Sequence, residues 1–494
     1  MNNGNGRNYR AARRVSDDRR GQRPASGASR SSGVRTGADR RSSAGMNSGA
    51  VNRNTQGRST AENTSGRAYN CRSDRSNNSR VRVNTGRVAK KRSLVEAKRE
   101  QKALVIARKE KEWQGEVERV RGGVDKIMLC VIFLIVSLGA LMVYSASYPT
   151  GLSKFGDSFY YLKRHLIFIA IGGAGMLITT LLPYKFFKKG GVFAAYGVSI
   201  LLLMAVLVIG TAEGEAKRWI YIGSFSIQPS EIMKVSLVMM LAWYIDKYQH
   251  KMKEDLDFKH NLLYNTVYPF AIIGAACVLV LLEKHLSGTA ILGILGLAVM
   301  LVGGCRLAYT LIPAVIGGGL AVVAFLIANP YALKRITTFT SEEVDILGEG
   351  WQTTQGIYAI GSGGLFGVGF GDSRQKFGYV SMAHNDFIYT IWCEELGFIG
   401  AVLLVSLFGV FLWRGYVIAM RAPDTFSMLT VFGITTQVAL QAFLNMMVVC
   451  DIIPNTGISL PFFSYGGSSL IMLLAEMGII LSISRQYYRK KQFI

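Results

Sequence analysis

Four carboxylates lie within eight consecutive positions of this sequence: Glu342, Glu343, Asp345 and Glu349. A carboxylate held beside an acceptor hydroxyl can remove its proton as a general base, an effect of roughly 10²–10⁴-fold on rate. The glycine-rich run that follows, residues 361–371, can offer backbone N–H groups to a phosphate, although glycines also allow helices to pack closely. These residue types favour proton transfer next to an anionic phosphate group.

Five further charged residues lie inside apolar segments, where a charge costs roughly 2.5–3.5 kcal/mol on insertion scales: Glu231, Lys234, Glu394, Glu395 and Glu476. Glu231 and Lys234 are three positions apart, so we expect an ion pair on one helix face. Glu394 and Glu395 either hydrogen-bond a neighbouring helix or line a polar cavity. Glu476 is expected to hold helices together rather than to act in catalysis.

Two other polar segments border apolar stretches. Lys217, Arg218 and Trp219 precede one of them. The guanidinium group of Arg218 suits a phosphate and the indole of Trp219 suits the membrane interface, where both could also serve only as anchors. Residues 454–469 combine two prolines, three glycines and several hydroxyl groups. Such a turn is tolerated at membrane depth only where protein or water covers its backbone, so we expect it to line a cavity.

The elements that position these groups are long apolar segments, most of them close to the ~20 residues that a spanning helix needs. We therefore expect an all-α polytopic membrane protein. Its ten transmembrane helices are predicted at residues 127–147, 165–184, 191–210, 230–246, 266–283, 289–305, 307–328, 387–413, 425–449 and 465–485.

Basic residues in the connections predict the orientation. Lys and Arg are concentrated before residue 127, at 185–190, at 247–262, at 414–421 and at 485–491. All of these lie on one side if the spans alternate, and the positive-inside rule makes that side cytoplasmic. Both termini are then cytoplasmic. Residues 329–386 form a large extracellular loop between spans seven and eight, which we expect to fold back on the membrane surface.

The N-terminal region has a different composition. Residues 1–126 contain 31 Lys and Arg against 12 Asp and Glu, a net charge of +19 out of +24 for the chain. Residues 1–88 predict a disordered basic cytoplasmic tail, with contact to anionic lipid as a second interpretation. The tail lacks interleaved aromatics, so nucleic-acid binding is disfavoured. Residues 89–126 predict a juxtamembrane amphipathic helix, and residues 127–494 are the membrane domain.

Cysteine and histidine spacing predicts no metal site. The six cysteines form no C-x-x-C pair, and the five histidines form no H-E-x-x-H motif. Two functional classes remain, an enzyme acting on a lipid-linked phosphate at the outer leaflet and a transporter of a lipid-linked sugar. The enzyme is favoured because a large external loop carries a candidate base, whereas a transporter is typically built from internal repeats, and no convincing one is visible.

Several motifs in series resemble one known family. They are AKRWI…QPSEIMK, GEGWQTTQGIYAIGSGGLFGVGFGDSRQKFGY, AHNDFIYTIWCEELGFIG and PNTGISLPFFSYGGSSL, and they extend over about residues 127–485. Their order and spacing are similar to those of the SEDS family (shape, elongation, division and sporulation), which includes FtsW, RodA and SpoVE. The long cytoplasmic tail favours an FtsW-like division member.

The resemblance implies a ten-span peptidoglycan glycosyltransferase of the bacterial plasma membrane. Such proteins polymerise lipid II, an undecaprenyl-pyrophosphate-linked disaccharide peptide, and work with a class B penicillin-binding protein transpeptidase and other division or elongation proteins. Flipping of lipid II across the membrane is the alternative. No cofactor is assigned, although a divalent cation such as Mg²⁺ or Mn²⁺ could share the pyrophosphate charge.

The resemblance also assigns residues. Gly348, Gly350, Trp351 and Gln352 match the family's G-x-G-[YW]-Q motif, so the acidic residue shortly before that motif corresponds to Asp345, the expected general base. The expected substrate-binding residues are Arg218, Trp219, Gln228, Trp351, Gln352, Gln355, Lys376, His384, Asp386 and Ser464.

Overall fold

The computed structural model describes residue 101 and residues 117–213, 216–223, 225–253, 257–329, 333, 339 and 350–490. This part of the chain is mostly helical. The helices are α1 Lys126–Phe155, α2 Tyr160–Leu181, α3 Tyr184–Ile209, α4 Pro229–Lys253, α5 Phe258–Leu282, α6 Leu286–Val302, α7 Leu307–Ala328, α8 Trp351–Gly363, α9 Ile388–Met420, α10 Thr425–Val449 and α11 Gly467–Ser484. The strands are β1 Val117–Arg121, β2 Thr211–Glu213, β3 Ala216–Ile222, β4 Phe225–Ile227 and β5 Gln486–Lys490.

Each apolar segment predicted from the sequence is helical. Eight helices in the described part of the chain are long and apolar enough to cross a membrane: α1, α2, α3, α5, α7, α9, α10 and α11. Helix α6 is apolar but has 17 residues. Helix α4 has 25 residues and carries charged side chains near both ends. In hydrocarbon a helix satisfies its own backbone hydrogen bonds, which is why the apolar pattern predicts helices so well.

Helix α1 has clear local signals at both its start and its end. Its N-cap, Asp125, accepts a hydrogen bond from the backbone N–H of Met128 at 2.9 Å, which satisfies one of the free donors of the first turn. The helix ends at Gly156, whose φ of 66° and N–H bond to the carbonyl of Leu152 form a left-handed C-cap.

Small residues bring α2 and α11 into close contact. A Cβ at Gly172 would clash with Leu474, and one at Gly478 would clash with the backbone of Met176. The hydroxyl of Thr179 donates to the carbonyl of Ala475 at 2.9 Å across this interface. Close backbone approach and interhelical hydrogen bonds replace the hydrophobic effect as the association force between helices in lipid.

Contacts between distant segments define two ends of the bundle. At the ribbon end, β1 pairs antiparallel with β5, and the ammonium of Lys188 contacts the carboxylates of Asp246 at 2.7 Å and Asp424 at 3.1 Å. At the sheet end, β2, β3 and β4 form a three-stranded antiparallel sheet. There the hydroxyl of Ser287 donates to the carbonyl of Thr456 at 3.0 Å.

The prediction of a juxtamembrane helix over residues 89–126 is wrong for its C-terminal end. Residues 117–121 form strand β1, and residues 122–125 have no regular structure. Val117 and Val120 in VERVR are β-branched and favour a strand, although their spacing of three positions also fits a helix. The tail at 1–88 and most of 89–116 lie outside the described residues. The short strands also make the protein mostly helical rather than all-α.

Candidate functional site

The acidic loop lies largely outside the described residues, and Asp345 is among the positions not described. The segment after it is well anchored. The indole Nε1 of Trp351 donates to the carbonyl of Tyr379 at 2.9 Å, and the amide of Gln352 donates to the carbonyl of Ser381 at 2.9 Å. Gln355 is buried one turn further along α8. Trp351 and Gln352 therefore hold the C-terminal border of the acidic loop against residues 379–381.

The glycine run packs against a kink in α9. Gly397 has a φ of 65° inside this helix, and a Cβ there would clash with the backbone of Gly367. The N–H groups of Val368 and Gly369 donate to the carbonyls of Glu394 and Glu395 at 3.0 and 3.2 Å. The N–H groups of these two residues are thus used within the protein. At these two positions, close packing fits the geometry and a phosphate cradle does not.

A closed cluster surrounds Lys376, formed by Ser145, Ser373, Lys376, Glu394 and Glu395. The Lys376 ammonium donates to Glu395 Oε1 at 3.0 Å and to Ser145 Oγ at 3.2 Å. Ser145 donates to the same Glu395 oxygen at 2.5 Å. The Lys376 and Glu395 side chains are both 0% exposed, so this ammonium has no surface left for a substrate phosphate.

The neighbouring carboxylate is held just as firmly. Glu394 accepts from Ser373 Oγ at 2.5 Å and from the N–H of Arg374 at 2.9 Å. The expected hydrogen bond to a neighbouring helix is confirmed for Glu395, which accepts from Ser145 of α1. Glu394 instead accepts from residues 373 and 374, which lie outside the helices. Within the described residues, Glu395 Oε2 is the one carboxylate oxygen of the pair without a hydrogen-bond partner.

A second group of polar residues surrounds a polar cavity at the sheet end. It is bordered by the start of α4, the start of α6, one face of α10 and the turn at 457–459. Six of its lining residues are Gln228, Glu231, Lys234, His285, Gln441 and Ser459. The structure thus places Gln228, one of the predicted substrate-binding residues, on the same cavity as the charged pair of α4.

The predicted ion pair of α4 is confirmed. Lys234 donates to both oxygens of Glu231 at 2.8 Å, and Ser469 of α11 donates to Glu231 Oε2 at 3.1 Å. Deeper in the bundle, the amide of Gln437 donates to the two oxygens of Glu476 at 3.2 and 3.0 Å. Glu476 therefore joins α10 to α11, as expected from the sequence.

Several buried groups around the cavity have no partner among the described residues. They are Ser230 Oγ, His285 Nδ1, Gln441 Oε1 and both carboxyl oxygens of Glu283. A buried polar group without a hydrogen bond costs about 1–3 kcal/mol. Unsatisfied groups of this kind beside a cavity are typical of a site that receives water or a polar ligand.

Burial also sets the protonation state at this end. It raises the pKa of Glu283 to about 8, against the opposing effect of Arg218. It lowers the pKa of His285 to about 3, and the positive charges of Arg218 and Lys234 act in the same direction. At neutral pH the Glu283 carboxyl is therefore mostly protonated and His285 is neutral, so both can act as hydrogen-bonding groups without carrying charge.

Arg218 and Trp219 lie in strand β3, next to the cavity. Arg218 Nη2 donates to the carbonyl of Lys284 at 3.1 Å, which places the guanidinium beside Glu283 and His285. Trp219 accepts through its carbonyl from the hydroxyl of Thr211 at 3.3 Å. Neither side chain is fully buried. The structure therefore brings Arg218 and Gln228 to the same end of the bundle, where Arg218 is partly exposed.

His384, Asp386 and Ser464 shape the turns beside the cavity. The His384 ring lies 4.4 Å from that of Tyr161, and its carbonyl accepts from the N–H of Tyr465 at 2.9 Å. Burial lowers the pKa of His384 to about 4, and Lys154 adds to the effect. The Asp386 carbonyl accepts from Asn445 Nδ2 at 2.7 Å. Ser464 Oγ accepts from the N–H of Leu460 at 2.8 Å.

The sequence analysis missed Glu283, His285 and Gln441. Two signals could have found them. Glu283, Lys284 and His285 form a polar tripeptide between two apolar runs, and Gln437 and Gln441 are four residues apart on one face of an apolar helix. No group of three His, Cys, Asp or Glu side chains in the described ranges could hold a metal ion.

A bundle of long apolar helices with a polar cavity at one end defines a multi-pass membrane protein with an internal polar site. The family model FTSW_RODA_SPOVE, described as "Cell cycle protein", matches residues 125–489. The chain belongs to this family, as its motifs predicted.

Two relatives and two solved structures extend over most of the same region. Stage V sporulation protein E of Bacillus subtilis is 38% identical over 364 residues, 73% of this chain and 97% of that protein. A probable peptidoglycan glycosyltransferase FtsW of Trichlorobacter lovleyi is 37% identical over 367 residues, 73% of this chain and 93% of that protein. The rod shape determining protein RodA of Thermus thermophilus has a TM-score of 0.54 and 25% identity, covering 73% of this chain and 97% of that one. A chain from a structure described as "Structural coordination of polymerization and crosslinking by a peptidoglycan synthase complex" has a TM-score of 0.59 and 26% identity, covering 73% and 98%.

Proposed function

We propose that this protein is a peptidoglycan glycosyltransferase that polymerises lipid II at the outer face of a bacterial plasma membrane. The observation that carries the proposal is the match over 73% of the chain to relatives named peptidoglycan glycosyltransferase. The polar groups at the sheet end agree with it, because they offer hydrogen bonds at one end of an apolar bundle. The cavity that they line is about 40 Å³, which holds water rather than a sugar ring.

We further propose ten crossings, with the ribbon end cytoplasmic together with the basic tail and both termini. Strand β1 lies before the first helix and β5 after the last, and their pairing requires an even number of crossings. Contacts at the two ends support a crossing by α4, which begins near Ser468 at the sheet end and reaches Lys188 at the ribbon end. The basic connections at 185–190, 247–262 and 414–421 fall at the ribbon end, which agrees with the positive-inside rule.

In the proposed reaction, Asp345 removes the proton of the 4-hydroxyl of the acceptor GlcNAc. The oxygen then forms a bond to C1 of the donor MurNAc with inversion, while the bond from C1 to the undecaprenyl pyrophosphate breaks. The pyrophosphate is already a good leaving group, so a general base is the main requirement. Arg218, which is partly exposed at the sheet end, would stabilise the departing negative charge. Lys376 has no such role, because Glu395 neutralises it.

A divalent cation would enter this site with the substrate. Mg²⁺ is usually held by one or two carboxylates together with substrate phosphates rather than by an all-protein cage. We therefore propose that any Mg²⁺ or Mn²⁺ is shared between the pyrophosphate and the acidic loop.

We propose a class B penicillin-binding protein as the partner that crosslinks the new strands, alongside other division or elongation proteins. The structurally similar chain described as part of a peptidoglycan synthase complex supports this assignment, because that complex coordinates polymerization with crosslinking.

The test is polymerisation of purified lipid II by the full-length protein with its transpeptidase, followed by gel analysis of the glycan. Asp345→Asn is expected to lower the rate by about 10²–10⁴-fold, the usual contribution of a general base. Glu342→Gln, three positions away, is the matched control and should retain activity. Unchanged product from Asp345→Asn would remove Asp345 from this role. Translocation of labelled lipid II without any polymer would favour the transporter instead.

A further inference from the structure

An apolar groove of about 490 Å³ runs along α1 from Lys126 to Val136. Phe133 and Val136 line one side, Gly173 of α2 lines the other, and Leu474 of α11 also contributes. Lys126 is the one charged residue among those lining it. The groove faces the lipid region of the bundle, since Phe133 is 72% exposed.

A second pocket, of about 450 Å³, begins where the groove ends. Lys126 lines both of them. The other charged residues of the second pocket are Asp125, Arg414 and Arg421. Asp125 accepts two hydrogen bonds of 2.9 Å from Arg414 Nε and one of 2.5 Å from Nη2, so these two residues neutralise each other. The pocket therefore keeps the positive charges of Lys126 and Arg421.

These two cations are available for a ligand. Lys126 and Arg421 are both exposed, and neither side chain forms a hydrogen bond or salt bridge with another described residue. Two cations beside the open end of an apolar groove match an amphiphile with an anionic head. Basic pockets between helices on the cytoplasmic side are typical binding places for anionic lipid headgroups.

The length of the groove indicates the kind of hydrocarbon. Ten residues of α1 correspond to about 15 Å along the helix axis, half of the roughly 30 Å hydrocarbon core. A chain confined to one leaflet fits this length, whereas a long polyisoprenoid would extend beyond it. The cations lie at the ribbon end, which we assigned to the cytoplasm, so the occupant comes from the inner leaflet.

We propose that this composite site binds an anionic glycerophospholipid of the inner leaflet. Its phosphate lies between Lys126 and Arg421, and one acyl chain fills the groove between α1 and α2. The site is distinct from the polar cavity at the sheet end, and it does not depend on the proposed glycosyl transfer.

The experiment uses the full-length protein in phosphatidylcholine nanodiscs that contain a small fraction of photoactivatable lipid with a diazirine in the acyl chain. Phosphatidylglycerol and phosphatidylcholine probes are compared, and labelled peptides are mapped by mass spectrometry. We expect the phosphatidylglycerol probe to label residues 129–136 and 169–176 at least about fivefold more, the ratio for one basic residue near anionic lipid.

Matched variants separate the headgroup from the acyl chain. Lys126→Gln with Arg421→Gln should abolish the preference for phosphatidylglycerol, while Lys189→Gln, an exposed lysine at the same end, should not. Gly173→Leu should reduce groove labelling by both probes, because a side chain there projects into open space and fills the groove. Gly197→Leu on α3 also projects into open space and is the control for added bulk.

Three outcomes would overturn the proposal. Equal labelling by the two probes would make the groove an ordinary part of the lipid annulus. A preference that survives the double charge variant would exclude Lys126 and Arg421. Stronger labelling by an undecaprenyl phosphate probe would assign the groove to an isoprenoid.

Discussion

The closed cluster around Lys376 and the polar cavity beside Lys234 each contain a buried lysine paired with a glutamate, yet they differ in their surroundings. Around Lys376, serine hydroxyls and backbone groups complete the hydrogen bonding, apart from one oxygen of Glu395. Around Lys234, buried groups of Ser230, His285 and Gln441 have no partner among the described residues.

This difference shows that a buried charge does not by itself indicate function. A charge whose hydrogen bonds are completed within the protein fixes the fold, as Lys376 fixes the segment after the glycine run to α1 and α9. Unsatisfied polar atoms beside a cavity are the better sign of a ligand site, because their desolvation cost is offset only when water or a ligand binds.

The largest expected effect is in the closed cluster. Lys376→Met leaves the Glu395 carboxylate buried without its cation, and removing one partner of a buried pair costs about 3–5 kcal/mol. Thermal unfolding of the purified full-length protein measures the loss. The control is Lys163→Met, which removes a lysine whose side chain is 67% exposed and paired with Asp157, and it should change stability little. Equal effects of the two variants would contradict the comparison.

The next prediction uses two glutamines on one face of α10. Gln437 donates to Glu476, whereas Gln441 lines the cavity. Gln437→Leu should destabilise the protein by about 1–3 kcal/mol, because Glu476 loses its donor. Gln441→Leu should leave stability nearly unchanged but lower glycan synthesis at least about tenfold, the equivalent of one lost hydrogen bond of roughly 1.4 kcal/mol. If both variants lost stability and activity in parallel, the cavity would have no separate role.

The last prediction concerns pH, and its effect is the smallest when expressed per pH unit. Glu283 has a folded-state pKa raised from 4.5 to about 8, so the folded state binds the extra proton between these values. Stability from this group is therefore present at low pH and falls as the pH rises towards 8, by at most about 1.4 kcal/mol per pH unit. Glu283→Gln should remove this slope. The melting temperature of the variant should therefore rise relative to that of the wild type as the pH increases from 5 to 8.

The control for the pH measurement is the exposed Asp372→Asn, which also removes one carboxyl. A constant difference between Glu283→Gln and wild type at all pH values would show that Glu283 is not a buried, protonated acid.

Sequence reasoning predicted the helices better than the site. The helices follow from runs of apolar residues, and the Glu231–Lys234 pair follows from helical spacing. Strand β1 was missed because the apolar and charged residues at 117–121 also fit the end of an amphipathic helix. Lys376 was predicted to bind phosphate because its partner, Glu395, is 19 residues away on a helix whose kink brings it back.

The amino-acid sequence alone determined the helical membrane architecture and the family, because apolar length and motif order are local properties of the chain. Only the tertiary structure decided which buried polar groups have hydrogen-bond partners and which do not. That outcome depends on atoms from distant segments meeting within hydrogen-bond distance, as Ser145 meets Glu395 across 250 positions while the carboxyl of Glu283 meets no donor in the described residues.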